Sequence, residues 1–416
     1  MRRTDPAGHG PVRYAPHAPE PGLPVLPRLA EVLAAAADRA PAEVPGGSDA
    51  LREAASGYWR RRGLPTDPGH TAAAPGPAPL LLAVTAALAG DVLLPRPCPA
   101  WWAPAARLVG RRTYSVATPA ECGGVPDPYA LLETVRRVRD EGGRPRLLLL
   151  SVADDPTATV APPEVLHETV EAALGEGLHI VSDETWRDTL HDPRDTVLIS
   201  PAEMAPAHVT VLTDLAGGLL PGDWPAAIAR FPATPDGAEL RAHALDALTG
   251  LGAVVAAPVS AAAAYALAEP EEVTARRTAA VALHARVAAA VYRLVRDAGA
   301  LVRPPQAGRH LYADLDPLRA GLARRGVGDA MELEDHLTQA LGTPAPGGHR
   351  FGDDLAALRV RLSVAPLLGR TPAERLESLT ALEPLELPHV QGALSMFASA
   401  LDAVRDDAAP RMEPPR

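Results

Sequence analysis

An alternation of two hydrophobic periods between about residues 77 and 214 constrains this chain more than any other feature. Helix-period segments there take turns with short runs that are apolar at nearly every position. APLLLAVTAALAG reads as a helix, DVLLP as a strand, WWAPAARLVG as a helix and TYSVA as a strand. PYALLETVRRVRDEGG, PRLLLLSV, APPEVLHETVEAALGEG, LHIVSDE and HVTVLTDLA extend the same rhythm. A strand apolar on both faces must be covered on both, and a strand that returns through a helix runs parallel to its predecessor. The pattern therefore predicts an α/β unit with a mainly parallel sheet between helices.

On either side of this stretch the periods change. PRLAEVLAAAADRA and SDALREAASGYWRRRG predict a helix pair, the second capped by Ser48 or Asp49 and closed at Gly63, with a Pro-Gly loop after it. Beyond LLPGDWP, the strand-like AAIARF leads into long Ala-rich helical segments. LVRPPQAGRHLYADLDP, MELEDHLTQALG, LRVRLSVAP and LPHVQGALSMFASALDAVRD then form a smaller α+β set. The chain is expected to divide into an N-terminal arm at residues 1–45, a large α/β domain at 46–275, a small C-terminal domain at 276–405 and a tail at 406–416. Pro-rich, aperiodic sequence predicts disorder in the tail and in the arm up to about residue 26.

Composition narrows the function classes. With 47% hydrophobic residues the chain can bury a real core, and a net charge of -11 with scattered arginines argues against a nucleic-acid partner. Cys98 and Cys122 make no disulfide framework, and no histidine stands at zinc-site spacing. Two arginines near the start have no apolar run behind them and no stretch reaches a membrane span, so the expectation is a cytoplasmic protein without a membrane partner. The Lys+Arg total of 40 consists entirely of arginine, so the chain has no lysine. Bias toward Arg, Ala, Gly and Pro thins lysine everywhere, yet a catalytic role should still retain one.

In order and spacing, several anchors resemble the class I/II aminotransferases, pyridoxal-phosphate enzymes of fold type I. They are LREAASGYWRRRG from Leu51, AGDVLLPRP around Gly90 and Asp91, VSDETW with Asp183, LLPGDW with Pro221 and Gly222, and LRVRLSVA with Arg361. The resemblance covers about residues 45–400. It implies a large α/β domain, a small C-terminal domain and an active site built across a dimer interface.

It also implies which positions should carry the chemistry, and most of these depart from the family pattern. The Schiff-base lysine falls at Ala216, or at Gly217 with one deletion. The phosphate loop falls at Gly76-Pro77-Ala78-Pro79, where two prolines remove two N–H donors. The phosphate-binding arginine falls near Trp224 and Pro225, and the next arginine is Arg230. The aromatic that stacks on the cofactor falls at Pro99, with Trp101 or Trp102 in reach after a loop shift; paired tryptophans at a helix start also serve as core anchors. Asp155 replaces the asparagine that donates to the ring hydroxyl, and a carboxylate cannot donate while ionised. Trp186 stands where tyrosine is common, while Pro156 and Thr157 keep the pattern.

Two further positions keep it as well. Asp183 matches the carboxylate that faces the pyridinium nitrogen, its alternative role being a cap on the following segment. Arg361 matches the arginine that forks a substrate carboxylate, its alternative role being a salt-bridged strand residue on the same face as Arg359.

These departures predict an aminotransferase-fold pseudoenzyme that carries no cofactor, pyridoxal phosphate having been lost, and that acts as a binding protein or dimeric partner. The dimer would form with itself or with an active relative. A second expectation is a cofactor-independent enzyme acting on a small carboxylate such as an amino acid or keto acid, with Asp155, Asp183 and Asp214 as acid/base candidates and Arg361 as grip. A third is an aminotransferase that holds pyridoxal or pyridoxamine phosphate non-covalently. No metal-ligand cluster, Gly-x-Ser-x-Gly elbow or Walker loop points elsewhere.

Overall fold

The computed structural model describes residues 20–38 and 43–408. Of the disorder expected up to about residue 26 and from residue 406, residues 1–19 and 409–416 lie outside the described residues, while residues 406–408 are the end of a helix rather than the start of a disordered tail. The helix pair is present as α1 (Pro27–Ala35) and α2 (Asp49–Arg61), and the Ser48 hydroxyl caps α2 by accepting from the Leu51 N–H. Seven strands form the main sheet: β1 (Thr71–Ala74), β2 (Asp91–Arg96), β3 (Thr113–Ala117), β4 (Pro145–Ser151), β5 (His179–Asp183), β6 (Val209–Asp214) and β7 (Ala227–Arg230). Their spatial order is β1-β7-β6-β5-β4-β2-β3. The five strands β2 to β6 run parallel and β7 runs antiparallel to both neighbours, so the mainly parallel sheet read from the sequence is the one observed.

Strand β1 departs from the expected Pro-Gly loop. Its sequence, Thr-Ala-Ala-Ala, has none of the branched bulk that marks a buried strand, yet all four residues are buried. Ala73 faces one core layer while Ala72 and Ala74 face the other.

Helices α3 (Pro77–Ala87), α4 (Trp102–Leu108) and, after α5 (Pro128–Asp140), α6 (Pro163–Gly175) and α7 (Pro201–Met204), helix α8 (Pro235–Gly250) cover the sheet. One face packs Leu93, Leu148, Ile180 and Val211 beneath α2, α5 and α6; the other packs Leu94, Leu149, Val181 and Leu212 beneath α3, α4 and α8. Neighbouring leucines such as 148 and 149 thus enter opposite layers, which is why the strands read as unbroken apolar runs.

Helices α9 (Ala257–Leu267) and α10 (Glu271–Asp297) lead into a second sheet, β8 (Leu301–Val302), β9 (His310–Asp314) and β10 (Arg359–Ser363), in antiparallel order β10-β9-β8. Helices α11 (Arg319–Arg324), α12 (Ala330–Leu341), α13 (Pro372–Thr380) and α14 (Pro388–Ala408) surround it, with Val287, Leu311, Leu333, Val360 and Leu401 in its core. The expectation that no stretch reaches a membrane span needs correcting. Helix α10 is long and apolar enough, and is the one such helix among the described residues. Its apolar face is part of the second core, and Arg277 on it is ion-paired to Glu269, as expected of a core helix in a folded domain.

A parallel sheet places its loops, and hence its ligands, at the carboxyl ends of the strands where the strand order reverses. Here that reversal lies between β2 and β4. The loops that follow these strands carry Pro97–Trp102 and Val152–Thr157. Strands β5 and β6 end beside them at Asp183 and Asp214.

Candidate functional site

Asp183 is buried at the tip of β5, and its carboxylate is held rather than free. The Thr185 N–H donates to it at 3.0 Å, and the indole N–H of Trp102, itself fully buried, donates as well. The Thr185 bond is the local cap foreseen as the alternative role of Asp183; the Trp102 bond comes from a different loop and is not a cap. Burial pushes the Asp183 carboxyl up to about 6, against the pull of these hydrogen bonds. Asp214, at the tip of the next strand, accepts from the Ala216 N–H at 3.0 Å and is pushed up to about 7 by burial. Asp154 is also pushed up to about 7 by burial; Thr157 donates to one of its oxygens, while Oδ1 is buried without a partner.

Arg361 lies on β10, and Asp155 reaches it from the loop after β4. The guanidinium donates to both carboxylate oxygens, at 2.8 and 3.1 Å, and packs over the Phe351 ring. Arg361 and Asp155 thus come together across the two sheets. Arg359 shares the strand face as foreseen, but its partners are Asp314 and Asp353, each at 3.1 Å.

The remaining positions fall as follows. Gly76 precedes α3 with φ +107 and has open space where a Cβ would stand. Pro77 and Pro79 occupy the first turn of the helix and the Gly76 N–H is spent on Ala74, which leaves the Ala78 N–H as the first-turn donor. Pro99 is buried and its carbonyl accepts from the Trp102 N–H. Ala216 and Gly217 belong to a tight turn closed by the Gly217 N–H on Leu220 at 2.7 Å. Trp224 packs against the core, Pro225 is exposed, and Arg230 sits at the far end of β7, opposite Val211 and away from Asp214.

Trp186 follows β5 and meets His310 edge-on, with ring centroids 5.6 Å apart, beneath the Arg309 guanidinium at 5.4 Å. Three residues here escaped the sequence reading: Glu20, Arg309 and His310. Glu20 lies in the stretch read as a featureless arm. Arg309 and His310 follow Gly308 at the start of β9, and two adjacent cationic-type residues entering an apolar strand were the available signal. A cavity of about 120 Å³ lies among Glu20, Trp186, Asp214, Gly217, His284 and Arg309.

A mainly parallel sheet whose strand tips carry Asp183 and Asp214, with Arg361 brought against the neighbouring Asp155 from a smaller sheet, has a fold type I pyridoxal-phosphate transferase architecture. Residues 25–216 match the family described as aminotransferase class I and II. The chain is 29% identical over 184 residues to the probable aspartate/prephenate aminotransferase of Thermus aquaticus, covering 43% of this chain and 46% of that protein. It is 31% identical over 266 residues to 4-dedimethylamino-4-oxo-anhydrotetracycline transaminase OxyQ of Streptomyces rimosus, covering 60% and 65%. The matched stretch thus spans about half to two thirds of these relatives. Among solved structures, aspartate aminotransferase from Thermus thermophilus superimposes with a TM-score of 0.74 at 22% identity over 91% of this chain and 90% of that one. N-succinyldiaminopimelate aminotransferase from Mycobacterium tuberculosis gives 0.72 at 22% identity over 92% and 91%. The chain thus has the fold of the class I/II aminotransferases, and its residues 25–216 carry the sequence pattern of that family.

That similarity corrects the expectation of a chain without cofactor: the Thermus relative is an aspartate/prephenate aminotransferase, an enzyme that depends on pyridoxal phosphate, and nothing in the matches marks a loss of it. The physical reason the sequence misled is that most of the departures concern the covalent tether and the phosphate contacts. The Asp183 carboxylate, which the resemblance sets opposite the cofactor ring, is buried and hydrogen-bonded, and the open space beside Gly76 lies where α3 presents its N-terminal dipole. Asp183 therefore fits the ring of the group, while the start of α3 would offer its phosphate the Ala78 N–H and the helix dipole alone; when bound, the group supplies an electron sink for bonds to a substrate carbon.

Proposed function

We propose that this chain is a member of the aminotransferase family that takes a small carboxylate compound into the cleft between its two sheets and holds pyridoxal or pyridoxamine phosphate there without a covalent bond to lysine. The observation that carries this reading is the buried Asp183 carboxylate with its Trp102 donor, an arrangement more elaborate than a strand-end cap requires. Asp183 would pair with the ring nitrogen, the start of α3 with the phosphate, and Arg361 with the carboxylate of the compound. No lysine amine is present to move protons within the site, so any transamination has to rely on Asp154 or Asp214, both poised near neutrality by burial. Slow turnover and a binding or partner role within a dimer follow, as a homodimer or beside an active relative.

An absorbance titration with pyridoxal phosphate tests this reading. Saturable binding that dialysis reverses, weakened at least tenfold in Asp183→Asn, supports retention without a tether. Absence of saturable binding by both phosphates, pyridoxal and pyridoxamine, sinks it.

A further inference from the structure

The described N-terminal stretch begins at Glu20, and this side chain does not point into solvent. Its Oε1 lies 3.0 Å from His310 Nε2 and 3.8 Å from an Arg361 nitrogen, and its Oε2 lies 3.1 Å from Arg309 Nε. His310 is buried beneath Trp186, and Arg309 is braced between that ring and the Gly217 carbonyl. Three cationic-type side chains therefore surround one carboxylate that arrives from a remote part of the chain. Burial alone would raise the Glu20 carboxyl, but His310, Arg309 and Arg361 together hold it well below the usual carboxylate range.

The fit is incomplete in an informative way. Glu20 Oε2 and Arg309 Nε are close enough to attract, yet neither makes a hydrogen bond, and both atoms are buried. A guanidinium prefers to meet a carboxylate in a planar fork, and a buried donor left unmatched is costly. A carboxylate free to orient itself would satisfy Arg309 better than one tethered to the backbone at residue 20.

We infer that Arg309 and His310, with the outer edge of Arg361, form a carboxylate subsite of the cleft whose occupant in this structure is the chain's own Glu20. A small carboxylate entering from solution binds by displacing Glu20, so the arm sets the affinity of the cleft for such anions. The inference rests on the reading of the cleft as a carboxylate site, and it requires no cofactor. It assigns Arg309 and His310 a binding role, and it makes the sequence around residue 20 a competitor for ligand rather than a structural strap.

Isothermal titration of the full chain with succinate, at fixed ionic strength set with chloride, tests this. Glu20→Gln should bind succinate at least tenfold more tightly than the unmodified protein, and adding Arg309→Ala to that variant should remove the gain. Glu20→Asp, which keeps the charge, should bind no more tightly than the unmodified protein, so a gain from mere loosening of the arm would show in both variants and overturn the inference. Equal or weaker binding by Glu20→Gln, with thermal melting unchanged, overturns it too. If that happens while Arg361→Ala still abolishes succinate binding, the wider carboxylate reading survives alone. If Glu20→Gln gains affinity that Arg361→Ala leaves untouched, the subsite stands and the Arg361 grip falls.

Discussion

Asp155 and Arg361 hold one another at 2.8 Å across the gap between the seven-stranded and three-stranded sheets. Both side chains are largely shielded from water, at 17% and 16% exposure, so neither is cheaply left alone. Removing one partner of a shielded ion pair costs about 3–5 kcal/mol where the other stays buried. Arg361→Ala should therefore lower the urea stability by about 3 kcal/mol, and Asp155→Asn by less, because Glu20 still faces the arginine at 3.8 Å. Equal losses in the two variants would show that Glu20 does not share the charge.

Trp102 reaches Asp183 with the one hydrogen-bond donor its side chain owns. Trp102→Phe keeps most of the ring but removes the N–H. A hydrogen bond to a charged group is worth about 1.5–3 kcal/mol, so pyridoxamine phosphate should bind roughly 10- to 100-fold more weakly to this variant. Quenching of the remaining tryptophan fluorescence gives the affinity; an unchanged value would relegate the indole to packing alone.

Stability should fall as pH rises from about 4 to 7 when no cofactor is added. Asp154 and Asp214 are pushed up to about 7 and Asp183 to about 6, from 3.8, in each case chiefly by burial. In that window the folded protein binds more protons than the unfolded chain, so unfolding becomes easier as the protons leave. Glu269, lowered to about 2 by Arg62, Arg61 and Arg277 against the effect of burial, works the other way, and its contribution is lost only as pH drops below about 4.5. Unfolding free energies from urea titrations at pH 5 and pH 7.5 should differ by roughly 6 kcal/mol if the three groups titrate independently, higher at pH 5. Asp154→Asn should flatten the slope; a midpoint that rises with pH would contradict the assignment.

Gly217 adopts φ +83, and a Cβ there would stand 3.0 Å from the Arg309 guanidinium. Left-handed backbone costs a residue with a side chain about 1–2 kcal/mol. Gly217→Ala should lower stability by at least that amount, while Gly218→Ala, where a Cβ meets nothing within 4 Å, should cost less than half as much in a thermal melt.

The sequence disclosed the sheet more fully than the cleft. Strands such as PRLLLLS declare themselves because both faces are covered, and the alternation of strand with helix fixed their parallel course. β1 stayed hidden because closely packed helices leave room only for alanine, which carries no strand signal. Asp183 and Arg361 were visible as motif positions, but no spacing in the chain shows that Asp155 closes on Arg361 from 206 residues away. The Glu20 contact lay further out of reach: it joins residues 20 and 310, and the arm around Glu20 has no periodicity to fix its course.

The crowding around Gly217 also bears on how this chain can change in the future. A long amine-bearing side chain at that turn would have to enter space the Arg309 guanidinium fills, from a backbone that disfavours any side chain. Room for such a side chain at residue 217 would need Arg309 to shrink, and shrinking Arg309 would strip Glu20 of one of its cationic partners. The turn and the ion pair are thus mutually exclusive claims on one space: residue 217 stays small for as long as Arg309 keeps its place beside Glu20.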